Sequence, residues 1–357
     1  MPEAADKENS PTLQIPASNS HSIVELLCGK GSSTKFIDQG NNTLLHLAAG
    51  GGYTGLVQLL LGNTPPHPAE LKGHTGALQL LFDKSASIEA MDGDNNIPLH
   101  LAAWNGHADI VDLLLRKGTP IEAIGQLGRT PLHFAALGGH AGTVELLLEK
   151  GASIEAININ NNTPLHFAAS AGHTGTVDLL LRKGASVNAV GQGNSTPLHS
   201  AAQDGHTATV ELLLGKGASI ETLGGTGRTL LHYAALGGHT GMVDLILEKG
   251  VSIGALDQEK NSALHLAAWK GHTDVVDLLL RKDASIEAIG QNNMTPLHYA
   301  AWGGHAGAVE LLLEKGASTE ARDKFNNTPL DLAAGKGRTD IVQLLTNKAE
   351  LARGNHP

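Results

Sequence analysis

The tetrapeptide Thr-Pro-Leu-His begins at Thr130, Thr163, Thr196 and Thr295. Relaxed copies begin at Ile97, Thr229, Ser262 and Thr328, so eight successive starts are evenly spaced at a 33-residue period. A chain repeating at this period does not wrap a single core around itself. Each copy is one small supersecondary unit that must bury its apolar face on its neighbours, and the outcome is a stack. A weaker copy at Thr64 keeps the period, but the next one back, Thr43, stands too close to it. Twelve residues of a full period are missing there.

The residues of a unit predict two helices and a finger. Thr is a helix N-cap and the following Pro suits the first helical position, whose N–H has no intrahelical partner. Paired alanines such as Ala135–Ala136 and Ala267–Ala268 let neighbouring helices approach closely. The Gly before each following His ends the first helix and permits a tight reversal. The second helix carries Val144, Leu147 and Leu148 on one side, with Glu145 and Glu149 outward. A Lys-Gly-Ala ending supplies a basic last turn and a Gly stop. An Asn- and Gly-rich stretch then reads as a turn between two short extended arms.

Thr-Pro-Leu-His-x-Ala-Ala at a 33-residue period resembles the ankyrin-repeat family over about residues 21–348. The resemblance implies an all-α solenoid of stacked helix-turn-helix units with β-turn fingers. The expected organisation is a polar N-terminal tail (1–20) and an N-terminal half-repeat (21–42), in which Ile23–Leu27 aligns with the second-helix run. Irregular repeats (43–96) follow, then seven regular repeats (97–327), a capping repeat (328–348) and a tail (349–357). Pro68 and Glu70 spoil the Thr64 unit, so a frayed element is expected there. Asp331, Lys336 and Arg338 suit a cap that faces water. The Asp that usually opens a finger is present as Asp92, Asp257 and Asp323. It is replaced at Gly125, Asn158, Gly191, Gly224 and Gly290, and looser fingers are expected there. Arg116, Glu149, Arg182, Gly215, Glu248, Arg281 and Glu314 nearly alternate in sign along the second helices, with Gly215 the break, which suggests opposite charges side by side in neighbouring units.

Composition narrows the function. Net charge is −10, which argues against nucleic acid and anionic membrane surfaces as partners. No stretch approaches the roughly 18 apolar residues of a membrane span. The single cysteine, Cys28, fits a reducing compartment and aligns with a packed aliphatic position, so it reads as core rather than nucleophile. The first residues carry neither a basic nor an apolar leader segment. The expected location is therefore cytoplasmic, nuclear or both. Of 19 histidines, nine sit in the Leu-His position, eight follow the helix-ending Gly, and only His21 and His356 remain. Histidines that follow a structural period read as structural, and a metal site is not expected. Gly29–Gly31 and Gly224–Gly227 lack the spacing of a phosphate loop. No nucleophile elbow is present. No catalytic, metal or cofactor-binding residue is expected, and the chain is read as a non-enzyme.

Tryptophan carries the functional signal. Trp104, Trp269 and Trp302 all follow the Ala-Ala pair directly, a place also taken by Leu137 and Leu236. In the family this chain resembles, that position and the next, which holds Asn105 and Lys270, face a concave groove used for partners. Gln126, Arg129, Asn160, Gln192, Arg228, Gln291 and Phe325 at finger tips are expected to edge it. Exposed tryptophan is enriched where binding energy concentrates. The expected function is a non-catalytic scaffold or adaptor, a monomer that binds a protein or peptide segment without cofactors. Alternatives are a nuclear transcription coregulator and an enzyme or auxiliary that uses the groove as a small-molecule pocket. A protein secreted without an ordinary signal is a third. The long run of near-identical units resembles arrays of filamentous fungi, some of which regulate specialised metabolism.

Overall fold

The computed structural model describes residues 37–61 and 87–354. The N-terminal tail, most of the half-repeat with Cys28, and the core of the Thr64 unit with Pro68 and Glu70 lie outside the described residues. The chain divides into two compact units at Ile159/Asn160.

The fold is all-α, and both units are solenoids built from the same pair of helices. In the first unit the pair is Pro131–Leu137 and Ala141–Glu149; in the second, Pro296–Gly303 and Ala306–Glu314 is one example. Thr130 stands before its helix in extended conformation (φ −88°, ψ 167°), with Pro131 at the first helical position. The paired alanines are buried in the repeats before the last, among them Ala135, Ala136, Ala267 and Ala268, all fully buried, while Ala334 of the last repeat is exposed. A side chain no larger than a methyl group lets successive first helices stack closely. On the second helix Val144 and Leu147 are buried while Glu145 and Glu149 are exposed. The Gly that ends each first helix is left-handed. Gly205 has φ 79°, and a Cβ there would also stand 2.5 Å from the ring of His239.

Within a unit, the Leu-His histidines join a repeat to the finger that follows it. The Thr163 N–H donates to Nδ1 of His166 at 3.1 Å, and the Ser262 N–H donates to Nδ1 of His265 at 3.1 Å. A ring whose Nδ1 accepts must carry its proton on Nε2. That Nε2–H donates to a finger carbonyl: His100 to Ala123, His166 to Ser195, His232 to Asn261 and His298 to Asn327, at 2.9–3.2 Å. Burial holds these imidazoles neutral and lowers the pKa of His100, His199, His232 and His298 below 6.5. His166 and His265 are brought to about 4. In the last repeat the exposed Asp331 takes the same role, accepting the Thr328 N–H at 2.9 Å.

Four features depart from the sequence reading. Three fingers without Asp, those at Gly125, Gly191 and Gly290, are not loose. In the Asp fingers one carboxylate oxygen collects two N–H groups; Asp257 Oδ1 takes those of Glu259 and Asn261 at 3.0 and 2.8 Å. In these three Gly fingers the clamp comes from the preceding finger. Asn96, Asn162 and Asn261 accept the N–H of Gln126, Gln192 and Gln291 at 3.0–3.1 Å. A Cβ on Gly125 would fall 2.5 Å from Asn96 Oδ1, and one on Gly290 would fall 2.7 Å from Asn261 Oδ1. Glycine is therefore the residue that lets the neighbouring amide in.

The second departure concerns residues 43–96. The helix Leu44–Gly50 packs directly on Pro98–Trp104. His46 Nε2 donates to the Asn96 carbonyl at 2.9 Å, and His107 Nε2 donates to the Gly50 carbonyl at 3.1 Å. These are the links that bind adjacent repeats elsewhere. The Thr43 and Ile97 repeats are thus neighbours in the stack. The chain between them is longer than one period, so it carries an insertion rather than a deletion of twelve. The third departure is in the charges: Arg182 and Arg281 pair with Asp178 and Asp277 of their own helix at 3.0 and 2.9 Å. Cross-repeat pairs run from Lys150 to Asp112, Lys216 to Asp178 and Lys315 to Asp277. Finally, the last helix spans Thr339–Gly354, past the boundary expected at 348.

Candidate functional site

The C-terminal ends of the first helices carry the expected groove residues. In the second unit the rings of Trp269 and Trp302 stack with centroids 6.5 Å apart and planes 16° from parallel. Two lysines cover the pair: Lys270 Nζ stands 4.5 Å from the Trp269 centroid, and Lys336 Nζ stands 5.4 Å from that of Trp302. Trp302 is 37% exposed and Trp269 is half-buried. The backbone beneath is fixed. His305 Nε2 donates to the Trp269 carbonyl at 2.8 Å and His272 Nε2 to the Leu236 carbonyl at 3.0 Å. Arg338 reaches the Gly303 carbonyl at 3.4 Å. The two cations and the indole faces offer a patch that is both apolar and positive on an otherwise acidic chain.

In the first unit Trp104 ends its helix, 45% exposed, with its ring 5.4 Å from that of the buried Phe134. Asn105 beside it is exposed, and Leu137 is half-buried in the next repeat. Phe134 and Lys336 take part in these clusters without having stood out in the sequence. Phe134 occupies a helix position that reads as ordinary core. Lys336 belongs to the terminal repeat, where a charged residue reads as solvation of a cap.

The finger residues divide by what they touch. Gln192, Gln291 and Phe325 are exposed, Phe325 with Lys324 Nζ 4.8 Å from its ring. Gln126 and Asn160 are half-buried. Arg228 is engaged by the buried Asp257 at 3.4 Å, and Arg129 lies 6.0 Å from the Phe134 centroid. These two cations therefore have partners within the protein.

A further exposed row escaped the sequence reading. The residue just before seven of the fingers is a large apolar one: Met91, Ile124 and Ile157 in the first unit, and Val190, Leu223, Leu256 and Ile289 in the second. All are more than half exposed. Their regular spacing was visible, but an aliphatic residue in a short extended arm reads as finger structure.

Among the described residues, no group of three or more His, Cys, Asp or Glu is arranged to hold a metal ion. No described helix is long and apolar enough to cross a membrane. An open depression of about 500 Å³ lies on the second-helix side, lined by Glu211, Leu214, Gly215, Ala218, Ile220 and Lys249. It brings no histidine, hydroxyl or thiol together with its one carboxylate.

The family models that match are those described as ankyrin repeats in three copies, over 119–191, 154–223, 198–289 and 264–355, and in many copies, over 67–115. A single ankyrin repeat matches at 40–68. No curated relative matches the chain. Among solved structures, the human ASB11 ankyrin repeat domain is 31% identical with a TM-score of 0.53. That match covers 60% of this chain and 97% of the other.

Proposed function

Because the chain belongs to the ankyrin-repeat family, whose repeats are generally protein–protein interaction modules, we propose that it is a non-catalytic scaffold or adaptor acting in the cytoplasm or nucleus. The observation that carries this reading is the exposed Trp269–Trp302 stack under Lys270 and Lys336. The indole surface of this pair left in water carries an unfavourable hydration free energy that a partner removes by covering it. Backbone hydrogen bonds from His305 and Arg338 hold the helix ends in place before a partner arrives, which lowers the ordering cost of association. Trp104 and Asn105, with Leu137, form the corresponding contact region of the first unit, and the exposed Gln192, Gln291 and Phe325 serve as finger contacts.

The test compares proteins captured from native cells by wild type and by the Trp269→Ala/Trp302→Ala variant, with thermal melting of both. Specific partners lost by a variant that melts like wild type support the reading. Partners retained in full by the variant, or a collapsed melt, refute the role given to the pair.

A further inference from the structure

The arms of the three fingers at 87–96, 120–130 and 153–159 belong to one compact unit and repeat the same exposure pattern. Residues 153, 155 and 157 are exposed, 154 and 156 half-buried, and 158 buried; 120–125 repeats this pattern, and 87–92 does so with Asp92 half-buried. Glu89, Glu122 and Glu155 each hold the third place of a tight turn, closed by the N–H of Ala90, Ala123 and Ala156 on the carbonyls of Ser87, Pro120 and Ser153. Two residues further on stand Met91, Ile124 and Ile157, so each exposed acidic residue lies within about 7 Å of an exposed apolar one along the chain. Met91 and Ile124 are each 59% exposed and Ile157 is 57%. Stacking the repeats turns these pairs into two parallel rows, one aliphatic and one acidic. Glu122 is fixed against the next arm, where its Oε1 accepts the Ser153 N–H at 2.7 Å.

The surroundings share one sign. These three segments carry Glu89, Asp92, Asp94, Glu122 and Glu155, no lysine, and a single arginine, Arg129, already engaged over Phe134. Packed helices stand about 8–10 Å apart, so the rows advance by roughly that distance per repeat. Seven residues of an α-helix advance about 10.5 Å. A helix lying along the stack would thus meet each aliphatic residue with one side chain per heptad. Its flank would run beside the carboxylates.

We propose that the rows Met91–Ile124–Ile157 and Glu89–Glu122–Glu155 bind a basic amphipathic helix of a partner protein, with an apolar residue at every seventh position and Lys or Arg along one flank. This rests on the scaffold reading and adds to it a partner chemistry and a second surface, distinct from the tryptophan stack.

The probe is a displayed library of peptides of roughly three heptads, selected on the full-length protein. Enriched peptides are then measured by fluorescence anisotropy against Ile124→Glu, Glu89→Lys/Glu155→Lys and Trp269→Ala/Trp302→Ala, each checked for an unchanged melt. We expect basic peptides with heptad-spaced apolar residues, weakened about tenfold or more by Ile124→Glu. The double Lys variant should lose these peptides and gain their Glu-for-Lys counterparts, a reversal that no folding defect produces. The tryptophan variant should bind them normally. Enrichment of acidic or unpatterned peptides, or none at all, overturns the proposal. So does concentration-dependent self-association abolished by Ile124→Glu, which would identify a second copy as the occupant. Peptides lost only in the tryptophan variant overturn it while leaving the scaffold reading intact.

Discussion

Lowering the pH from about 7.5 to 5 should destabilise this protein through its buried histidines, before most carboxylates begin to titrate. The sign follows from the hydrogen bonds. In the folded protein Nδ1 of His166 and His265 accepts a backbone N–H while Nε2 donates to a carbonyl. Protonating Nδ1 sets two N–H groups against each other and adds a buried charge. Both folded pKa values, about 4, lie below the 6.5 of the free side chain. Between those values the unfolded chain binds more protons. Stability is therefore complete above pH 6.5 and falls as the pH drops towards 4. Integrating the linkage gives about 2 kcal/mol per histidine at pH 5 and about 3 at pH 4. His166 and His265 together thus remove about 4 kcal/mol at pH 5. His46, His100, His199, His232 and His298 act in the same direction. With a urea slope of about 3 kcal/mol/M the midpoint should fall by more than roughly 1 M. Urea unfolding at several pH values provides the assay, and NMR titration of the imidazole protons checks the assignment. A midpoint that is flat from pH 7.5 to 5, or Leu-His resonances titrating near 6.5, would refute the reasoning.

Other perturbations address separate parts of the structure. Gly125→Ala should destabilise by roughly 1–3 kcal/mol. Its φ of −106° suits alanine, so the penalty isolates the clash with Asn96; an unchanged or raised Tm would mean the finger is loose after all. Asp257→Ala strips the buried acceptor from Glu259, Asn261 and Arg228 and should cost about 3 kcal/mol in chemical unfolding. A loss comparable to an exposed ion pair would contradict the clamp. Deleting residues 63–83, which restores a single period between Thr43 and Ile97, should leave the melting temperature nearly unchanged. A large loss would show that the direct stacking of the two flanking repeats depends on that segment.

The repeat period, the helix pair, the N-caps and the structural standing of the histidines were legible in the sequence because each depends on neighbours within one unit. Thr130, Pro131 and Ala135–Ala136 declare a helix start and a close-packed face without reference to anything distant. What lies between units was not legible. Gly125 and Asp257 look like a weak and a strong version of one finger until Asn96 is seen reaching across to the Gly125 finger from the preceding one, as Asn261 of the Asp257 finger does to the finger of Gly290. The short spacing from Thr43 to Thr64 reads as a deletion until Leu44–Gly50 is found against Pro98–Trp104, where it becomes part of an insertion. The placement of Trp269 and Trp302 one period apart announced a surface, yet their stacking beneath Lys270 and Lys336 depends on side-chain directions across three repeats. The aliphatic row at Met91, Ile124 and Ile157 makes the same point. Hydrophobic identity is local, whereas exposure is decided by what the neighbouring repeats leave uncovered.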